Sequence, residues 1–150
     1  ETVPAEAQVE LRERLLQDFH AGFLETSLAL HFAPETVQDH RLNPPCPRTN
    51  PEPALVRLAS LARLGGRLQL AHELLFAAEA TAWYRLKPFP GYTSMPAFAT
   101  ARAGSILADL ALADCALAAR AVLAGELESP RPIMRWMHSL TLGGRLTRPR

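Results

Sequence analysis

The sequence predicts an all-α fold: an irregular bundle of four to six helices with a long central Ala-rich helix and two Pro-rich connections. Alanine and leucine supply 25 residues each of the 150, whereas valine and isoleucine together supply seven. Because alanine and leucine are strong helix formers and β-branched residues favour strands, this composition indicates helices throughout. The length is that of one ordinary domain, so we expect a single domain over residues 1–150.

The most distinctive segment is the Ala-rich stretch 97–125, which has apolar residues on almost every side. Its charged residues are Arg102, Asp109, Asp114 and Arg120. A helix with so little polar surface is expected inside the fold or between subunits. We therefore predict that this helix is the axis on which the other segments pack.

Residues 5–32 are predicted to form one long first helix, with Pro4 at its start and Pro34 after its end. Proline suits the first turn of a helix, and the residue before a proline disfavours helical geometry. Polar residues follow one edge of this helix beside its predicted core face; they are Glu13, His20, Ser27 and His31. We expect this edge to line the surface of the domain.

The rest of the chain alternates between Pro-rich connections and shorter helices. The first connection, residues 33–53, contains six prolines and has no helical period. Loops of that length in a small domain are usually functional or packed on a partner. The other predicted elements are a helix ending at Gly65 and Gly66, a helix over about 67–87, a Pro-rich connection over 88–96, a short helix over 131–140 and a basic tail over 145–150.

Charge is spread unevenly although the net charge is +1. Residues 1–39 carry eight acidic and two basic side chains, whereas residues 129–150 carry five arginines and no acid. The near-zero net charge argues against nucleic acid as the partner. The arginine-rich end could instead meet an acidic partner or the acidic end of the chain.

The cysteines, Cys46 and Cys115, are too few for a disulfide framework, and we expect two free thiols. No Cys or His pair has zinc spacing, so neither a metal nor a cofactor is predicted. No stretch reaches eighteen uncharged apolar residues, so no transmembrane segment is expected. These features favour an intracellular or organelle-interior location without identifying the compartment.

Candidate chemistry is confined to polar residues on apolar helix faces. His72, Glu79 and Trp83 lie close to one apolar stripe of the predicted 67–87 helix. With Asp109 and Arg102 of the central helix they could line a pocket for acid–base chemistry, a small molecule or a metal ion. Chance spacing and ordinary core packing explain the same pattern.

The predicted C-terminal helix is the best candidate for an interaction surface. One of its faces is apolar and consists of Ile133, Trp136, Met137 and Leu140. Such a face could close the domain's own core, dock on a partner protein or lie on an anionic membrane surface.

Two functional hypotheses follow from these patterns. The first is a non-catalytic helical interaction module or accessory subunit, with a protein partner or a second copy bound to it. The alternative is a small-molecule- or metal-binding helical bundle, either a binding protein or an enzyme, with its pocket at His72, Glu79 and Asp109. The lack of any recognised catalytic motif favours the first hypothesis.

Overall fold

The structure, a computed structural model, describes residues 5–130 and 132–140. These residues form six α-helices and no β-strand, which confirms the predicted all-α fold. Within the same residues, no helix has the length and apolarity needed to cross a membrane. The predicted basic tail 145–150 lies outside the described residues. The helices are α1 (Ala5–Arg14), α2 (Phe23–Phe32), α3 (Pro53–Leu64), α4 (Leu68–Tyr84), α5 (Ala101–Leu123) and α6 (Arg135–Leu140).

The chain divides into two compact units. Unit 1 comprises Glu1–Thr49 and Arg85–Leu127, and unit 2 comprises Asn50–Tyr84 and Glu128–Arg150. Helices α1, α2 and α5 therefore belong to unit 1, and α3, α4 and α6 belong to unit 2. The predicted single domain stays a prediction.

The prediction of one unbroken first helix over residues 5–32 is wrong. Helix α1 ends in a 3₁₀ turn at Leu15–Gln17, and α2 begins only at Phe23. Between them Ala21 has a φ of +46°, a left-handed conformation that cannot continue an α-helix. The carboxylate of Asp18 then accepts a hydrogen bond from the amide of Leu24, at 3.3 Å, in the otherwise unsatisfied first turn of α2.

Unit 1 is held together by a close approach of α2 and α5. Ser27 and Gly104 are both buried where the two helices meet. A Cβ atom added at Gly104 would overlap the backbone carbonyl of Ser27, so the approach requires glycine. The Ser27 hydroxyl accepts a hydrogen bond from the amide of Thr100 at 3.2 Å. The Thr100 hydroxyl caps α5 by accepting from the amide of Ala103 at 3.1 Å.

Helix α5 is buried only near its start, which corrects the prediction that it lies inside the fold. Gly104 and Ala108 are buried, whereas every residue over 109–120 is exposed. The physical reason is length: α2, with ten residues, spans about 15 Å and can cover only the first turns of a helix of 23 residues. The alternative, a contact between subunits, stays a prediction.

Unit 2 contains α3 and α4, which form a helical hairpin. Gly66, with a φ of +73°, follows α3 and confirms the predicted left-handed stop. On α4, the Glu73 carboxylate accepts hydrogen bonds from the amide of Met134 at 2.8 Å and from the indole N–H of Trp136 at 2.7 Å. These hydrogen bonds, above all the one from Met134, lower the pKa of the Glu73 carboxyl. They also hold the segment that leads into α6.

The close approach of α2 and α5 predicts the effect of adding one methyl group. Gly104→Ala should lower the free energy of unfolding by about 3 kcal/mol or more, because backbone rather than a flexible side chain fills the space. Gly65→Ala is the matched control, since its added Cβ would meet nothing closer than 3.6 Å. Urea unfolding followed by circular dichroism measures both. Equal stability of the two variants would contradict the packing described here.

Candidate functional site

The break between α1 and α2 is fixed by the buried side chain of Thr93. The Thr93 hydroxyl accepts hydrogen bonds from the amides of Phe19 and His20, both at 3.1 Å, and donates to the carbonyl of His20 at 3.0 Å. The amide of Thr93 donates to the same carbonyl at 2.8 Å. Thr93 therefore binds both the amide and the carbonyl of His20, whereas His20 itself is exposed.

Backbone strain is concentrated around this break. Among the residues the structure describes, four that are not glycine have a positive φ, and three of them, Ala21, Asp39 and Ser94, belong to unit 1. Ala21 follows His20, and Ser94 follows Thr93. Such conformations cost about 1–3 kcal/mol each and persist where the surroundings impose them, often at functional sites.

Carboxylates support the strained loop from both ends. Glu25 accepts a hydrogen bond from the amide of Ala21 at 2.6 Å, which ties the left-handed residue to α2. Burial raises the pKa of the Asp18 carboxyl above its ordinary value, against the opposing effect of the hydrogen bond from the amide of Leu24. The loop is therefore fixed by specific polar contacts rather than by apolar packing.

A cavity of about 400 Å³ opens beside this loop. This volume suits a small molecule, because ligand pockets range from roughly 300 to 1,000 Å³. His40 is one of the lining residues, and its Nε2 atom is buried and makes no hydrogen bond. The hydroxyl of Tyr92 donates to the carbonyl of Pro44 at 2.8 Å and fixes the opposite segment. The lining residues are Ala21, Glu25, Thr26, Ala29, Thr36, Val37, Gln38, His40, Asn43, Gly91, Tyr92 and Pro96.

A family model described as creatininase, creatinine amidohydrolase, matches residues 1–118, which is most of the chain. The chain belongs to the creatininase family. No curated protein and no solved structure matches it. The matched range includes every residue that lines the 400 Å³ cavity of this creatininase-family chain.

Membership of the creatininase family corrects the main functional prediction. A non-catalytic interaction module, scaffold or accessory subunit is wrong, because the family is described as an amidohydrolase. The alternative, a small-molecule- or metal-binding helical bundle that is either a binding protein or an enzyme, agrees better with the family. The sequence contains no motif of a known catalytic class that would have predicted an amidohydrolase.

The residues predicted to form the catalytic pocket fall in different units. His72, Glu79 and Trp83 lie on α4 in unit 2, with His72 exposed and the other two half-buried. Asp109 and Arg102 lie on α5 in unit 1, and both are exposed. The pocket at His72, Glu79 and Asp109 stays a prediction, and the cavity beside Ala21 is lined by other residues.

The predicted partner face of the C-terminal helix is partly engaged within unit 2. Trp136 is half-buried and donates to Glu73, whereas Ile133 and Met137 are exposed. The side chain of Leu140 lies outside the described residues. Use of this face by a partner stays a prediction.

Metal chemistry has no support from the side chains that the structure describes. Over these residues, no group of three or more His, Cys, Asp or Glu side chains is arranged so that it could hold a metal ion.

Cys46 and Cys115 are free thiols, as predicted, with Cys46 buried and Cys115 exposed. Burial raises the pKa of the Cys46 thiol.

Glu25 and His40 were not candidates from the sequence, and His20 was placed on the polar edge of a predicted continuous helix that the structure does not contain. Gly22 within the predicted helix was the available signal, because glycine weakens helix interiors and marks breaks. The Thr93 contact could not be foreseen, since it joins segments more than seventy residues apart.

Thr93→Val tests how the break is held. The substitution keeps the shape of the side chain but removes the hydroxyl, which deprives two amides of their acceptor; we expect a loss of about 2–3 kcal/mol of unfolding free energy. Thr93→Ser retains the hydroxyl and should lose about 1 kcal/mol, for the missing methyl group. Urea unfolding distinguishes the two, and a valine variant as stable as the serine variant would disprove the role of the hydroxyl.

Proposed function

We propose that unit 1 carries a hydrolytic site that opens an amide bond in a small cyclic substrate of the creatinine type. The observation that carries the proposal is the match of residues 1–118 to creatinine amidohydrolase, which includes the entire lining of the 400 Å³ cavity. The cavity volume, the fixed backbone at His20 and the presence of His40 in the cavity lining support it.

Hydrolysis of an amide requires a base that takes a proton from water and an acid that gives a proton to the leaving nitrogen. Water attacks the carbonyl carbon, the C–N bond breaks, and the nitrogen that leaves takes a proton. An imidazole suits both transfers, since its ordinary pKa lies near neutrality. In the proposal His20 takes the proton from water and returns it to the nitrogen.

The arrangement around His20 suits a residue that must be held in position. Its backbone is fixed by Thr93, and the next residue, Ala21, lines the cavity. Glu25 fixes Ala21 in turn. A catalytic group whose support is rigid loses little freedom when substrate binds, which is one source of rate acceleration.

His40 is assigned a binding role in the same cavity. Its buried Nε2 atom has no hydrogen-bond partner within the protein. A buried polar atom without a partner costs about 1–3 kcal/mol, and a ligand that hydrogen-bonds to it removes that cost. The amide group of a small cyclic substrate offers both a donor and an acceptor.

The experiment is a ring-opening assay of the purified chain on creatinine and simple five-membered lactams. His20→Gln should lower kcat by about 10²–10⁴-fold, as expected for loss of a general base. His40→Gln should act chiefly on KM. His31→Gln is the matched control, because His31 is an exposed histidine on α2 whose ring contacts Phe32.

Equal losses of kcat in the His20 and His31 variants would contradict the assignment of His20. Failure of the unaltered chain to open any of these rings would contradict the proposed function itself.

A further inference from the structure

A second cavity, of about 780 Å³, is lined only by residues of unit 2. Its volume falls in the range of small-molecule pockets, which is roughly 300–1,000 Å³. Residues 66–70 and Glu73 form one wall, at the beginning of α4. The other wall consists of Pro132, Arg135 and Trp136, in the segment that leads into α6 and in its first turn. This cavity shares no residue with the 400 Å³ cavity of unit 1.

Hydrogen bonds from two side chains of α4 hold the two walls together. The Glu73 carboxylate accepts from the amide of Met134 at 2.8 Å and from the indole of Trp136 at 2.7 Å. The side-chain amide of Gln69 donates to the same carboxylate at 3.0 Å and to the carbonyl of Pro132 at 3.3 Å. Met134 has a φ of +54°, and its amide is the one that Glu73 binds. The cavity therefore has a defined shape before a ligand binds, as small-molecule pockets usually do.

The charges of the lining favour an anion. The negative charge belongs to Glu73, whose carboxylate already accepts three hydrogen bonds. The positive charges belong to Arg67 and Arg135, and the structure records no ion pair between either of them and another described residue. In unit 1, by contrast, Arg14 and Arg48 each pair with a glutamate. Two like charges beside one cavity attract a ligand of the opposite sign.

The other lining groups favour a ligand with a flat apolar body. The one polar atom of the Trp136 side chain is already bound to Glu73, so the rest of the indole offers apolar surface. Leu68 and Leu70 line the same cavity. Guanidinium groups bind carboxylates through paired hydrogen bonds and also stack on aromatic rings. An aromatic carboxylate combines the negative charge with the flat apolar body.

We propose that the 780 Å³ cavity of unit 2 is a second ligand site, which binds small aromatic carboxylates through Arg67, Arg135 and Trp136. The site is independent of the proposed hydrolysis, because it includes no residue assigned to that reaction. Binding there forms and breaks no covalent bond.

The first test is calorimetric titration of the whole chain with phthalate, an aromatic dicarboxylate. Phthalamide is the uncharged control ligand, and we expect phthalate to bind at least about tenfold more tightly. Arg67→Gln and Arg135→Gln should each raise the dissociation constant of phthalate by about fivefold to tenfold, because each removes one charged donor. Arg57→Gln is the matched control, since Arg57 is an exposed arginine of α3 that does not line the cavity.

The second test locates the bound phthalate by chemical-shift mapping. Concentration-dependent shifts are expected at the indole N–H of Trp136 and at the amides of Gln69 and Met134, on both walls of the cavity. Arg67 and Arg135 are both exposed, so their substitution disturbs no buried contact, and circular dichroism checks that the variants keep their helices.

The proposal is overturned if phthalate binds no more tightly than phthalamide. It is equally overturned if Arg57→Gln weakens binding as much as Arg67→Gln and Arg135→Gln do, or if phthalate shifts the amides of the unit 1 cavity and leaves Trp136 unchanged.

Discussion

The hydrogen bonds of the buried Thr93 hydroxyl are the interaction on which the rest of the site depends. They stop the chain from continuing as one helix through His20 and hold the break against a segment more than seventy residues away. The left-handed Ala21, the Glu25 contact to its amide and the cavity beside them all follow from this break. The strain at Ala21 is tolerated because polar contacts on both sides maintain it.

The proposed hydrolytic site lies at this break, in a unit that is otherwise helical. A small-molecule site needs only a small number of well-placed polar groups, and the proposal assigns that role to His20 at the break and to His40 in the cavity lining. The creatininase family match includes all of these residues. The helices serve mainly as supports, with α2 anchored to α5 through Ser27 and Gly104.

Local properties of the sequence predicted the fold class, and long-range contacts decided the rest. Helix content and the stop at Gly66 follow from residue type and were predictable. The break before α2 was not, because the contact that holds it comes from Thr93, in the Pro-rich connection 88–96. The exposure of α5 was also missed: its composition predicts burial, but the sequence does not show that α2 is too short to cover it. The sequence placed the candidate site on α4 and α5 instead of at this loop, because the broken first helix was predicted to be continuous.

Amide chemical-shift mapping with creatinine tests the central claim most directly, because it locates binding without depending on catalysis. The account predicts concentration-dependent shifts at Ala21, Glu25, His40 and Tyr92, which line the cavity of unit 1. His40→Gln should reduce the size of these shifts at a given creatinine concentration. Shifts confined to unit 2, around Arg67, Glu73 and Trp136, or no shifts at all would contradict it.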